Sequence, residues 1–175
     1  MNQNYPSQIL SLLDQCLKLI KKHNRNDLED CIKQAKIRII KKERVIFVCG
    51  EFKRGKSSLI NALLQQKELC PVDIDIATSV VSLIRYGETP KVVRHFGSVG
   101  GSSSETIPLE KLSTYALGRE TDDTWLLEIE IPVELLKNGY VFIDTPGVGG
   151  LDHRHSFLTS YFLPKADIAL FVVDA

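Results

Sequence analysis

The chain has 175 residues, with 22 Lys and Arg against 22 Asp and Glu, and therefore no formal net charge at pH 7. Its 43 % hydrophobic and 25 % charged residues are those of an ordinary folded domain, which excludes a disordered or fibrous chain, and the length suffices for one core. The four cysteines, Cys16, Cys31, Cys49 and Cys70, have no C-x-x-C or zinc spacing and read as reduced packing residues of a cytoplasmic protein. The start of the chain lacks the basic and apolar regions of a signal peptide, and no apolar run has the length to span a bilayer. Any membrane contact is therefore expected to be peripheral, or made by sequence outside these residues.

Residues 6–20 place Ile9, Leu13, Cys16 and Ile20 on one stripe, widened by Leu10, Leu12, Leu17 and Leu19, which predicts an amphipathic helix. Asn24, Arg25 and Asn26 interrupt it. Asn26 with Glu29 three residues on has the pattern of a capping box for a second helix, whose stripe is Leu28, Cys31, Ile32, Ala35 and Ile39. Residues 1–44 carry ten Lys and Arg against five Asp and Glu, and the remainder carries the opposite imbalance. The simplest account is two solvated helix faces; an acidic partner or anionic lipid surface is the alternative. Nucleic acid is not expected as a partner, because aromatics are scarce in this segment and no recognition motif occurs.

The apolar run Val45-Ile46-Phe47-Val48-Cys49 then reads as a buried strand, followed at once by GEFKRGKS at 50–57. This is G-x-x-x-x-G-K-S in full, between a strand and a helical pattern, the setting that a phosphate-binding loop requires. Gly50 and Gly55 let the backbone curl so that successive N–H groups converge on phosphate oxygens, and the following helix aims its positive end at the same anion. Lys56 is placed to reach the β- and γ-phosphates and the Ser57 hydroxyl to complete a Mg²⁺ shell. The binding set is Gly50, Glu51, Phe52, Lys53, Arg54, Gly55, Lys56, Ser57 and Ser58. These residues predict a nucleoside triphosphate as ligand.

A Pro-containing loop, residues 69–79, leads into a strand at 80–86. Thr78 is the first candidate there for a magnesium-binding switch hydroxyl, with Ser79 as its rival. Strands at 91–96 and 125–132 flank a Gly/Ser loop at 97–104 and a short helix at 108–117, and a turn or short helix at 133–138 follows. The next apolar run, Tyr140-Val141-Phe142-Ile143, ends in Asp144-Thr145-Pro146-Gly147, a D-x-x-G. On a strand parallel to the first, Asp144 emerges at the edge where open α/β sheets bind ligands. There it can hold Mg²⁺ through water while the Gly147 N–H faces the γ-phosphate. The metal set is thus Ser57, Thr78 and Asp144. The segment after Gly147 is glycine-rich and charged, as a segment that reorders on loss of the γ-phosphate would be.

GEFKRGKSSLINALL, the loop from Pro71 to Thr78 and FIDTPG, in that order, resemble the GTPase domain of the dynamin superfamily, particularly its bacterial members. Asp144 follows Lys56 by 88 residues, and domains of this type carry insertions in that interval. The resemblance covers roughly residues 45–175. It implies an α/β, three-layer P-loop fold, GTP hydrolysis with Mg²⁺, homodimers formed through GTPase domains across the nucleotide, and membrane remodelling. It also implies that the two preceding helices join a helical bundle; a hairpin packed on the sheet is the alternative. The expected organisation is a helical segment at 1–44 and a GTPase domain at 45–175.

Three departures qualify the resemblance. Lys53 stands where eukaryotic dynamins carry a cation-binding serine and guanylate-binding relatives an arginine finger, so Lys53 or Arg54 is a candidate for transition-state charge beside Lys56 and Thr78; two solvated loop charges that assist ground-state phosphate binding are the alternative. Val148 stands where a water-positioning Gln is usual, which predicts slow basal turnover. No N/T-K-x-D loop for guanine follows, so the domain reads as truncated before it, and residues 166–173 read as an apolar edge strand. Two other readings fit these features: a ribosome- or RNA-linked GTPase, and a nucleotide-gated binding module with negligible hydrolysis.

Overall fold

The computed structural model describes residues 5–51, 53–71, 80–98, 103–117, 123–146 and 161–173. It divides into two compact units, residues 1–43 and 44–175.

The first unit is a helical hairpin, α1 (Tyr5–Lys22) and α2 (Asn26–Lys41). The spacing of α1's leucines follows the helical period, and Leu10, Leu13, Leu17 and Ile20 form its half-buried stripe. Ile9, Leu12 and Leu19 are exposed, and no side chain of α1 is buried. Asn26 does not take the cap position expected of it: Arg25 occupies that place without a side-chain cap bond, and Asn26 is already helical. Glu29 is engaged elsewhere: it pairs with Lys33 one turn on (2.9 Å) and with Lys21 of α1 (3.7 Å). Lys36 adds an ion pair to Asp14 across the hairpin.

The second unit is a mixed seven-stranded sheet with helices. Its elements are β1 (Arg44–Gly50), α3 (Lys56–Leu64), β2 (Val81–Tyr86), β3 (Lys91–Phe96), β4 (Ser104–Ile107), α4 (Leu112–Ala116), β5 (Thr124–Ile131), α5 (Glu134–Lys137), β6 (Tyr140–Asp144) and β7 (Ile168–Val172). The strand order is β4-β3-β5-β2-β6-β1-β7. β1 runs parallel to both β6 and β7, whereas β2 is antiparallel to β6. Ser104, read from the sequence as loop, begins β4; its side chain and the next two are exposed, so an edge strand of this kind carries no apolar alternation.

β1 is apolar without alternation because both of its faces are covered. Ile46 and Val48 point to one core with Ile60, Leu64, Ile84, Leu127 and Phe142. Val45 and Phe47 point to the other with Val81, Trp125, Val141, Ile143 and Phe162. Phe47, Val48, Ile60, Ile84 and Leu127 have no exposed surface, and each such burial contributes about 1.5–3 kcal/mol. β7 is an edge of the described sheet, and Phe171 within it and Val173 just after it are exposed. Asp167 ties its start to β1 through both its carboxylate (2.7 Å from the Val45 N–H) and its own N–H. Among the described residues no helix is long and apolar enough to cross a membrane.

Gly50 closes β1 where β7 approaches most nearly. Its φ is +146°, and a Cβ there would lie 2.3 Å from the Val172 carbonyl oxygen, a backbone atom that cannot move aside cheaply. Gly50→Ala is expected to lower stability by ~2 kcal/mol or more, because it adds a clash to backbone strain. Gly55→Ala, at φ +84° with open space around the site, is expected to lose only ~1 kcal/mol. Urea unfolding followed by the fluorescence of the single tryptophan, the buried Trp125, measures both; equal losses would refute the close approach.

Candidate functional site

The parallel pairing of β1 with β6 sets Val48 opposite Asp144, so the ends of both strands reach one edge of the sheet. The antiparallel β2 starts at that edge, with Ser82 opposite Asp144. α3 starts there as well. Its cap residue, Gly55, has left-handed backbone (φ +84°, ψ 20°), no side chain caps its first turn, and that turn holds no acidic residue. The first N–H groups of α3 therefore have no partner within the helix and face outward with the positive end of its dipole. Lys53 also has positive φ (58°), a conformation that non-glycine residues adopt at a cost of order 1 kcal/mol and that curls the loop.

Three charged or polar side chains meet beneath this loop. Lys56 is 6 % exposed, and its ammonium donates to the Glu51 carbonyl oxygen (2.8 Å), lying across the inside of the turn. Ser57 Oγ donates to Asp144 Oδ2 at 2.7 Å, joining residues 87 positions apart. Asp144 has no exposed surface, and its Oδ1 has no hydrogen-bond partner. Burial pushes the Asp144 carboxyl up to about 6; hydrogen bonding from Ser57 and the charge of Lys56 oppose that rise only in part. Burial likewise depresses the Lys56 pKa, against the attraction of Asp144. Thr145 completes the strand end by donating its hydroxyl to Val48 O (2.9 Å).

The donor set suits a magnesium ion. A hydroxyl and a carboxylate, both hard oxygen ligands, adjoin each other, and a buried carboxylate oxygen lacks a partner. The uncapped helix end and Lys56 suit phosphate oxygens.

Of the residues expected from the sequence, Gly50, Glu51, Lys53, Arg54, Gly55, Lys56, Ser57, Ser58 and Asp144 lie at this edge. Phe52, Thr78, Ser79, Gly147 and Val148 fall outside the described residues. Arg54 is turned back within the loop, its Nε and Nη2 donating to Glu51 Oε2 (3.1 and 2.9 Å). Lys53 is exposed. Two contributors were not singled out from the sequence as site residues. Cys70, which the sequence reads as a packing residue, is wholly buried, and burial, with the charge of Asp144 adding to it, pushes its thiol well above the usual range. Asn61 holds Cys70 by its main chain. The available signal was Asn61 itself, an amide set between the apolar positions of α3.

A family model described as the Dynamin family matches residues 46–175. The chain is 35 % identical over 174 residues to the isoniazid-induced protein IniA of Mycobacterium tuberculosis, covering 95 % of this chain and 27 % of that protein. It is 28 % identical over 144 residues to the bacterial dynamin-like protein of Nostoc punctiforme, covering 74 % of this chain and 20 % of that protein. In fold it is similar to a solved oligomerised bacterial dynamin pair, with a TM-score of 0.61 at 16 % identity, over 98 % of this chain and 34 % of that one. The chain thus spans between 20 and 34 % of the length of these proteins.

The direction of the Asp144 shift fixes a pH dependence for the protein in EDTA. Between about pH 4 and 6 the folded state holds a proton that the unfolded chain has released, so this group's contribution to stability falls as pH rises and levels off above 6. Relative to wild type, Asp144→Asn should gain stability across that window by up to ~3 kcal/mol. Chemical denaturation of both proteins at pH 4 and pH 7 tests this, and an unchanged difference would contradict it.

Proposed function

The chain belongs to the dynamin family, and from that premise we propose that it binds GTP with Mg²⁺ at the start of α3 and hydrolyses it. The observation that carries this reading is the 2.7 Å bond between Ser57 and Asp144, which unites the two sequence motifs at an uncapped helix terminus beside a buried lysine. In this reading the N–H groups of the loop and of the first turn of α3 bind phosphate oxygens. The Lys56 ammonium leaves the Glu51 carbonyl to meet the β- and γ-phosphates. Ser57 and Asp144, with Thr78 from the first switch loop, hold the magnesium ion, which when bound neutralises charge on the phosphate oxygens. Gly147 N–H orients the γ-phosphate. Guanine is chosen over adenine by family membership.

Turnover is slow in the monomer, because Val148 can neither orient nor deprotonate water. It rises when GTPase domains pair as a homodimer across the nucleotide. Lys53 and Arg54 are the groups that supply transition-state charge in that pair; Arg54 must first exchange its bond to Glu51 for one to phosphate. The solved structure of similar fold is described as an oligomerised bacterial dynamin pair that provides a mechanism for long-range sensing and tethering of membranes. On that likeness self-assembly and membrane remodelling are proposed for this protein, acting from the cytoplasm at a membrane surface. Residues 1–44 form part of a helical bundle and residues 45–175 the GTPase portion. Val148 favours one second reading, a nucleotide-gated module that hydrolyses negligibly.

Phosphate release measured against protein concentration, with GTP and ATP in parallel, separates these readings. Turnover per molecule that rises with concentration and prefers GTP is the expected result; binding with flat, negligible turnover selects the second reading. Lys56→Ala should weaken GTP binding roughly 10–100-fold by removing a charge-assisted contact. A finger residue contributes about 10³–10⁵ in rate, so Lys53→Ala or Arg54→Ala should depress the concentration-dependent kcat far more than the affinity. If both leave that kcat intact, the charge comes from elsewhere.

A further inference from the structure

Asp144 is the last residue of β6, and the pairs that hold it, with Val48 of β1 and Ser82 of β2, are the last in both registers. A strand end frays unless something beyond its last pair fastens it. Pro146, two residues on, has no N–H with which to continue the ladder. Thr145 supplies the fastening instead. It is 3 % exposed, and its hydroxyl donates to Val48 O at 2.9 Å, across 97 positions of sequence. The acceptor is the rigid side of this bond. Val48 has no exposed surface, belongs to the core of Ile60 and Phe142, and is paired on its other side with Leu170 of β7. The bond therefore restrains the end of β6 against a fixed β1, and not the reverse.

Two adjacent residues at this strand end thus reach both sides of the loop at 50–56. Thr145 is bonded to Val48, two residues before Gly50, and Asp144 accepts from Ser57, two residues after Gly55. The Ser57 bond by itself sets the carboxylate loosely. Asp144 Oδ1 has no hydrogen-bond partner, and the hydroxyl on Oδ2 rotates to follow small displacements. The main chain must therefore fix where Asp144 stands, and past the last ladder pair the Thr145 hydroxyl does so. Magnesium makes the stricter demand on that placement. It requires near-octahedral oxygens at about 2.0–2.1 Å, whereas phosphate is held by several N–H groups at once.

We propose that Thr145 is a positioning residue for the metal half of the nucleotide site: by fastening β6 to Val48 O, its hydroxyl fixes the height at which Asp144 meets Ser57. The inference rests on the assignment of Ser57 and Asp144 to magnesium. Thr145 acts through the peptide bond it shares with Asp144, without itself being a ligand. A purely structural hydroxyl would contribute stability and leave the magnesium requirement unchanged. Residues that orient a metal ligand from behind change metal affinity about 10–100-fold when removed.

The test uses the whole 175-residue chain and a fluorescent GTP analogue, titrated first in EDTA and then at rising Mg²⁺. Thr145→Val, of similar shape but without the hydroxyl, is expected to raise the Mg²⁺ concentration for half-maximal tightening about tenfold, with the affinity in EDTA at its wild-type value. Thr145→Ser retains a hydroxyl and should retain the wild-type requirement. Thr145→Val that weakens both affinities in proportion, or neither, overturns the positioning role, and so does Thr145→Ser that shifts as far as Thr145→Val. Trp125 fluorescence reports whether Thr145→Val keeps its fold. Where it does not, Thr145→Ala, which leaves room for water at the Val48 carbonyl, decides in its place: the same shift supports the proposal, and a wild-type magnesium requirement overturns it. A wild-type chain that binds the analogue equally well in EDTA and in Mg²⁺ overturns the magnesium assignment. One that binds no analogue overturns the nucleotide-site reading itself, and the inference falls with either.

Discussion

The hydrogen bond between Ser57 and Asp144 is the contact on which the candidate site depends. It can form only because β1 and β6 are parallel neighbours in a register that sets Val48 opposite Asp144. A slip of one residue would turn Asp144 to the opposite face of the sheet. The register is held by apolar residues on both faces: Ile46, Val48 and Phe142 on one side, Val45, Phe47, Val141 and Ile143 on the other. The hydroxyl of Thr145, bonded to Val48 O, locks it at the strand ends. Hydrophobic packing thus supplies the force, and the polar contacts supply the position.

Burying this carboxylate and Lys56 together is costly, and the directions of their shifts show which effect wins. Burial raises the pKa of Asp144 and lowers that of Lys56, so for both groups desolvation outweighs the mutual attraction and the hydrogen bonds. The two groups are therefore only partly compensated by each other. An anion for the lysine together with a cation for the carboxylate would satisfy both, and a magnesium–phosphate pair is a ligand of that kind. The uncapped first turn of α3 points the same way, since its N–H groups have no partner within the helix. Strain in the loop follows the same logic: Lys53 holds a positive φ where the backbone turns.

The mixed character of the sheet has a separate consequence. Because β2 runs antiparallel to β6, the chain re-enters the sheet at the edge where Asp144 and α3 already lie. Earlier in the chain, Cys70 is held to α3 by Asn61. The helical hairpin of residues 5–41 is built on different terms. Its inner stripe is only half buried, and its ion pairs at Glu29 and Asp14 are weakened by solvent screening.

Much of this was legible in the residues alone. The phosphate loop, the extent of α3 and the strand bearing Asp144 could be read directly, because each is set by local chemistry: glycines where the backbone must turn, an unbroken apolar run where both faces are buried, a helical pattern straight after. The amphipathic period of α1 was legible for the same reason, although only Leu10, Leu13, Leu17 and Ile20 of its wide stripe became the inner face. Local signals also misled. Asn26 and Glu29 have the spacing of a capping box, yet Glu29 was drawn away by Lys33 and Lys21, a competition that spacing does not encode. The strand order, the reversal of β2 and the edge strand β4 arise from pairing between distant segments, and no local pattern specifies a partner. Asn61 and Cys70 carried no motif, since an amide in a helix and the main chain of a distant loop residue acquire meaning only once folding brings them to each other. The sequence by itself determined which residues form the glycine-bearing turn between β1 and α3; the tertiary structure alone decided which side chains meet beneath that turn, because such meetings are contacts made across the chain.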